Sequence, residues 1–508
     1  MLLFTKKLRL NSIVFIALFI FFALGLYQKL PFAGRDMGFE YGNIAASLVR
    51  GEGYANVFGP NGGPTAWMLP LNTVIFAVIF YFLGIKTEAA QNALIFYNAL
   101  CWALSGLMLV KIAEKTPFRA YKYLIVLFFL LIIYFNPNRS LGDMMDVSLI
   151  NFLAVSTVYV LYSFLYGKQK PVYFLLLAVV LPLASANLFL AFALIVAFYY
   201  LKLLFKHKQQ LIDQPVNIAG FPHSRKMLFC LLAGGLSLLT VTAWASRNYQ
   251  SLQKFIPAKS NLWYEFYQTN IIDDDGILDG QTLLIYHPNS HGLFYDLYYQ
   301  LGEIGFVNHF KRLSLREITA EHYLDQLANR LIFLFFYNPN QSYSYPADVA
   351  LFSKAELNRM QQYALIDQDE WVSLHLNEAR IRKFLLDLEI SQQEAVFQNW
   401  LKGRSQYRLA KNSPSLQMRA ILSPLLPLVC ITLGLLFRKI RDSHLFRFSL
   451  LTYIVLLLPY LLISISNRYV YFSQSLQAVF FFFVAAYFLD KLLTMNKLSF
   501  RFLKQKVT

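Results

Sequence analysis

Charge is scarce along this chain, and so is cysteine. Asp, Glu, Lys and Arg together supply 15% of the 508 residues, whereas 57% are hydrophobic. That balance excludes an intrinsically disordered protein and exceeds the apolar share of an ordinary soluble domain. The three cysteines, Cys101, Cys230 and Cys430, all fall inside apolar runs. They read as small buried hydrophobes and offer neither a disulfide framework nor a zinc-ligand spacing. The chain also lacks a phosphate-binding P-loop, a dinucleotide fingerprint and a serine-nucleophile elbow, and it shows no internal repeat. His287 and His291 are one helical turn apart but without the His-Glu-x-x-His pattern, so they do not argue for zinc.

Apolar runs of about 17–25 residues recur instead, the length that crosses a bilayer as a helix. They predict an all-α polytopic membrane protein. The net charge of +17 would suggest a nucleic-acid partner in a soluble chain. Here it reads as Lys and Arg on cytoplasmic loops and attraction to anionic headgroups or a phosphate-bearing substrate, and no nucleic acid is expected.

Placing those basic residues inside sets the topology. Lys6, Lys7 and Arg9 precede a first span over Ile13–Tyr27 with no cleavage site after it. Residues 34–90 are then external. Two full crossings by Leu69–Ile85 and Asn92–Val110 would leave Lys111, Lys115, Arg119 and Lys122 outside, against the positive-inside rule. The repair is that Leu69–Ile85 does not cross but is re-entrant or interfacial. Crossings then follow at Phe118–Phe135, Val147–Tyr166, Pro171–Leu183, Leu188–Phe205 and Met227–Ala245, and near the end at Ile421–Phe437, Phe448–Ile465 and Leu476–Leu493. The expectation is about ten crossings plus one non-crossing helix. The chain divides into a transmembrane module at 1–245, an external, mainly helical domain at 246–417 with helical patterns at Ala355–Ala364 and Glu378–Leu388, and a transmembrane end at 418–508. In that domain the apolar stretch Leu331–Tyr337 is too short to span.

The stretch 34–70 differs from all its neighbours. It holds Asp36 and Glu40, spaced to share one face if the segment is helical. Ile44, Leu48 and Val49 continue an apolar stripe, and Gly51 and Gly53 supply a stop. A Gly/Pro-rich turn and Thr65-Ala66-Trp67 follow. A second external loop holds Asp143 and Asp146 directly before a span, where N-capping would suffice to explain an acid. Later come Trp244-x-x-Arg247-Asn248-Tyr249, Asn261-x-x-x-Glu265, Asp296, Leu301-Gly302-Glu303 and Arg468-Tyr469. An interfacial Arg serves as a snorkelling anchor or, through its fixed fork of donors, as a phosphate ligand. Asp273-Asp274-Asp275, with Gly276 behind it, reads as a turn.

Tyr41-x-x-Ile44-Ala45-x-x-Leu48-x-x-Gly51-x-Gly53-Tyr54, followed by Gly63-Pro64-Thr65-Ala66-Trp67-x-x-Pro70, resembles the first external loop of the multi-spanning GT-C glycosyltransferases. The likeness is to bacterial members of the family-39 type, relatives of protein O-mannosyltransferases and of the lipid A aminoarabinose transferase. The Arg247-Asn248-Tyr249, Gly302-Glu303 and Arg468-Tyr469 stretches resemble the same family. The resemblance implies an inverting glycosyltransferase of the inner (cytoplasmic) membrane, multi-pass, its site facing the periplasm or exterior. Its donor is a polyprenyl-phosphate sugar and its acceptor a hydroxyl of a lipid, glycan or protein. An acid of the first loop is the implied base. The family's usual position for that acid is Met37 here, which leaves Asp36 and Glu40 both open. Asp146 is the implied second acid, to bind a divalent metal, orient the acceptor or hold the base; no other cofactor is expected. Arg247 and Arg468 would bind the lipid phosphate, with Tyr41, Trp67, Asn248, Tyr469 and Glu303 completing the substrate site. The alternative is a transporter or flippase of a lipid-linked or anionic substrate. Acids gathered in external loops rather than at mid-membrane favour the enzyme.

Overall fold

A computed structural model of the chain describes residues 2–29, 37, 39–135, 146–167, 170–213, 222–272, 276–278, 288, 294–336, 414–465 and 467–507. They form helices and loops, with two isolated bridges, Ala55 to Pro64 and Ile277 to Ile465. The helices are α1 (Leu2–Lys29), α2 (Glu40–Val49), α3 (Pro70–Leu83), α4 (Glu88–Glu114), α5 (Leu124–Phe135), α6 (Val147–Leu165), α7 (Pro171–Ala184), α8 (Ala186–Asp213) and α9 (Pro222–Leu252). Next come α10 (Leu262–Tyr267), α11 (Tyr295–Glu317), α12 (Ala320–Phe336), α13 (Pro414–Leu436), α14 (His444–Ile463), α15 (Asn467–Tyr471) and α16 (Gln474–Val507), with a one-turn helix at Arg438–Arg441 before α14.

Among the described residues, seven helices are long and apolar enough to cross a membrane: α1, α4, α6, α8, α9, α14 and α16. Large side chains on their outer surfaces, such as Leu24, Phe198, Leu239 and Leu492, are exposed. Helices apolar on the outside as well as the inside suit lipid as the neighbour. The chain is an all-α, multi-pass membrane protein. The other three expected crossings fall on α5, α7 and α13, whose described apolar portions are shorter. The interior is aromatic: Phe22 of α1 packs on Trp102 of α4 and Phe129 of α5, with ring centroids 5.8 and 6.0 Å away.

Local chemistry fixes the ends that matter. Pro70 opens α3, where a missing N–H costs nothing. Thr87 caps α4 by accepting from the Ala90 amide at 3.2 Å. The helix α2 stops at Gly51, which takes φ 79°, as the Gly51–Gly53 signal predicts. Its start differs from the expectation. Phe39 has φ 33° and ψ −91° and Glu40 is the first helical residue. Asp36 itself lies outside the described residues, as do Asp143, Asp273–Asp275, His287, His291 and the patterns at Ala355–Ala364 and Glu378–Leu388.

The domain limits at 245 and 417 fall inside α9 and α13. Leu331–Phe336 is the end of α12, which packs against α13 and α14. There Arg330 is fully buried and donates to the carbonyls of Gly276 and Leu461 at 2.9 and 3.0 Å.

The segments flanking α3 both bond to α2: before it, Trp67 bonds Glu40; after it, Lys86 Nζ donates to Asn43 Oδ1 at 2.7 Å.

Candidate active site

Glu40 is 8% exposed. An acid so buried needs compensation. Its sources include the position at the first residue of α2, where the helix dipole favours negative charge, and Trp67, whose Nε1 donates to Glu40 Oε1 at 2.9 Å. Trp67 cannot swing away readily. Phe58, Tyr264, Phe306 and Tyr298 surround its ring with centroids 4.8, 5.4, 6.4 and 6.5 Å off.

Asp146 is buried at the N-cap of α6, yet its side chain makes no capping bond. It accepts from the Tyr41 hydroxyl at 2.7 Å instead. The two acids predicted from separate loops are thus linked through neighbouring residues of α2. The acid at the start of α6 is spent on another element rather than on its own helix.

Glu303 is the third buried acid, at 3% exposure. Gly302 breaks α11 with φ 64° and ψ 170°, a conformation that favours glycine, and Glu303 opens the segment after the break. Its carboxylate accepts from the Thr65 hydroxyl and from the Ala66 amide, the latter at 2.8 Å. Burial raises the Glu303 carboxyl above the usual range, while those two bonds and the Arg247 charge oppose the rise.

Arg247, near the end of α9, reaches the same loop from the other side. Its guanidinium donates to the carbonyls of Tyr54 at 2.5 Å and Thr65 at 2.6 Å and to Asn248 Oδ1 at 3.0 Å, lying over the Tyr54 and Trp244 rings. Asn248 in turn donates to the Ile256 carbonyl at 2.8 Å. Arg247, Asn248 and Glu303 therefore brace the loop that presents Trp67. Tyr469 donates to Glu265 Oε2 at 3.0 Å and stacks on Tyr460 at 4.1 Å, while Asn261 donates to the other oxygen of Glu265 at 2.6 Å. Arg468 stands on α15 beside Tyr469.

The structure adds Tyr264, which no motif marks, and gives Thr65 of the loop motif a bonding role. Tyr264 is buried beneath Trp67; burial foremost, then the charges of Glu40 and Glu265, push its hydroxyl well above the ordinary phenol range. Thr65 both donates to Glu303 and accepts from the Trp67 amide at 3.0 Å. Among the described residues no group of three or more His, Cys, Asp or Glu side chains is arranged to hold a metal ion. What the arrangement offers is a carboxylate held by an indole that is itself packed among aromatic rings. Compared with known proteins, the chain matches no protein-family model, no curated protein and no solved structure.

Proposed function

We propose that this protein is a GT-C-type membrane glycosyltransferase of the family-39 kind, moving a sugar from a polyprenyl-phosphate donor to a hydroxyl acceptor on the outer side of the cytoplasmic membrane. The observation that carries the reading is the Glu40–Trp67 pair, a buried acid of the first loop held at 2.9 Å by an indole. Glu40 is then the general base. As the acceptor oxygen attacks the anomeric carbon, its proton passes to the Glu40 carboxylate and the bond from that carbon to the phosphate oxygen breaks. The leaving group departs as polyprenyl phosphate, and the configuration inverts. A base at that distance from a fixed donor is pre-oriented, which is what proton transfer in the transition state needs.

In this reading Asp146 acts through Tyr41, setting the orientation of the first turn of α2. Arg247, Asn248 and Glu303 position the Trp67 loop instead of touching the phosphate, and Arg468 is left as the arginine for that role. The test is Glu40→Gln, carried as the sole copy, with labelled polyprenyl-phosphate sugars supplied to isolated membranes. Transfer is expected to fall about 10²–10⁴-fold while donor binding is kept. A Gln variant that transfers at the normal rate overturns the assignment.

A further inference from the structure

Phe472 and Ser473 break the helix between α15 and α16. A helix ends with carbonyls, and starts with amides, that its own ladder cannot satisfy. At this break a third helix supplies partners to both ends. Asn151, fully buried in the second turn of α6, donates through Nδ2 to the Tyr471 carbonyl at 2.8 Å. Its Oδ1 accepts from the Ser475 amide and from the Ser475 hydroxyl, each at 2.9 Å. The second Nδ2 donor goes to the Val147 carbonyl at 2.9 Å. A carboxamide has two donors and two acceptor lone pairs; here each meets its complement, and only this orientation of the amide fits. Thr157, further along α6, is buried too but spends its hydroxyl on its own helix, at the Leu153 carbonyl.

The two sides of this clamp lead to different parts of the candidate site. At the start of its own helix stands Asp146, bonded to Tyr41 next to Glu40. Across the break, α15 carries Arg468 and Tyr469, and Tyr469 is tied to α10 through Glu265 at 3.0 Å. We infer that Asn151 is a positioning residue, fixing where the helix of Arg468 stands relative to Asp146 and, through Tyr41, to Glu40. Its catalytic consequence rests on the proposed function. There Glu40 takes the acceptor proton while Arg468 serves the leaving phosphate, so α2 and α15 must keep one separation as the bond to the anomeric carbon changes hands. A misplacement of about 1 Å between reacting groups costs about 10²-fold in rate.

Full-length wild type, Asn151→Leu, Ser475→Ala and Thr157→Val are compared on two readouts. The first is transfer in isolated membranes supplied with labelled polyprenyl-phosphate sugar. Asn151→Leu should lower turnover at saturating donor by about 10²-fold with the donor KM near wild type. Ser475→Ala keeps the amide bond and should lower turnover less, and Thr157→Val should keep it. The second readout is hydrogen exchange at the Ser475 amide in nanodiscs, which should quicken in Asn151→Leu and not in Thr157→Val. Wild-type turnover in a folded Asn151→Leu, or a raised KM with turnover kept, overturns the inference and leaves the proposed transferase standing. An equal fall in Thr157→Val marks general destabilisation and overturns it as well. If Asn151→Leu does not fold, Ser475→Ala decides: a fall in turnover beyond that of Thr157→Val upholds the clamp, and equality overturns it. A folded wild type that transfers no sugar sinks the proposed function, and exchange alone then judges the clamp: quickened exchange at Ser475 upholds it. Unchanged exchange there overturns it whatever the activity.

Discussion

Removing the Glu303 carboxylate should release the Trp67 loop locally before it unfolds anything else. Glu303→Ala strips the acceptor from two groups in fully buried residues, the Thr65 hydroxyl and the Ala66 amide. An orphaned buried donor costs about 1–3 kcal/mol, so the pair loses about 2–6 kcal/mol. If the loss is expressed as local opening, amide exchange at Ala66 should accelerate by about 30-fold to 10⁴-fold, corrected for intrinsic rates. Glu303→Gln keeps an oxygen for the amide and should accelerate it less. The pH response has a definite sign. Burial raises the Glu303 carboxyl in the folded protein, so between the unfolded and folded values the folded state holds more protons. Stability then falls as pH rises through that window, is fullest below it and levels off above it. The Gln variant should lack this slope. Unchanged exchange at Ala66 in Glu303→Ala, or a wild-type loop that tightens with rising pH across the window, would refute the brace.

Arg247→Met should loosen the same loop, and its effect on thermal stability should be less than additive with Glu303→Ala, because both hold Thr65 and its neighbours; a strictly additive double mutant would deny the shared role. Tyr41→Phe removes the Tyr41 hydroxyl from buried Asp146, and a loss of about 1.5–3 kcal/mol is expected, read as reduced stability of the purified protein; a neutral effect would mean the bond at 2.7 Å carries no weight. Single cysteines at Pro64 and Glu88 should label from the same side of the membrane, since the segments on either side of α3 both bond to α2. Labelling from opposite sides would show that α3 crosses.

How much of this could be read from residues alone depends on the range of the interaction. Apolar runs announce themselves locally, so each expected span coincides with a helix even where its ends drift. The Gly51 stop and the caps at Pro70 and Thr87 are local too. The Glu40–Trp67, Tyr41–Asp146 and Thr65–Glu303 bonds join residues 27, 105 and 238 apart in sequence, and no periodicity encodes such pairs. Glu40, Tyr41, Trp67 and Asp146 were nominated through the loop resemblance, yet not as partners. Arg247 shows the limit from the other direction. A guanidinium fork suits phosphate and carbonyl oxygens alike, so its type pointed to a ligand while its surroundings supply backbone. The start of α2 turned on Phe39 adopting φ 33°, which no residue preference for phenylalanine would suggest.

The length of α9 makes the bilayer itself a mechanical input. Its 31 residues form a rod about 46 Å long, well beyond the roughly 30 Å of a hydrocarbon core. Such a rod answers a thicker or thinner membrane by changing its tilt. A tilt of about 5° pivoted at the far end sweeps the tip through roughly 4 Å. Arg247 rides near that tip with the Tyr54 and Thr65 carbonyls in its grip. Acyl-chain length should therefore act on how firmly Arg247 holds the Tyr54 and Thr65 carbonyls, with no molecule bound at all.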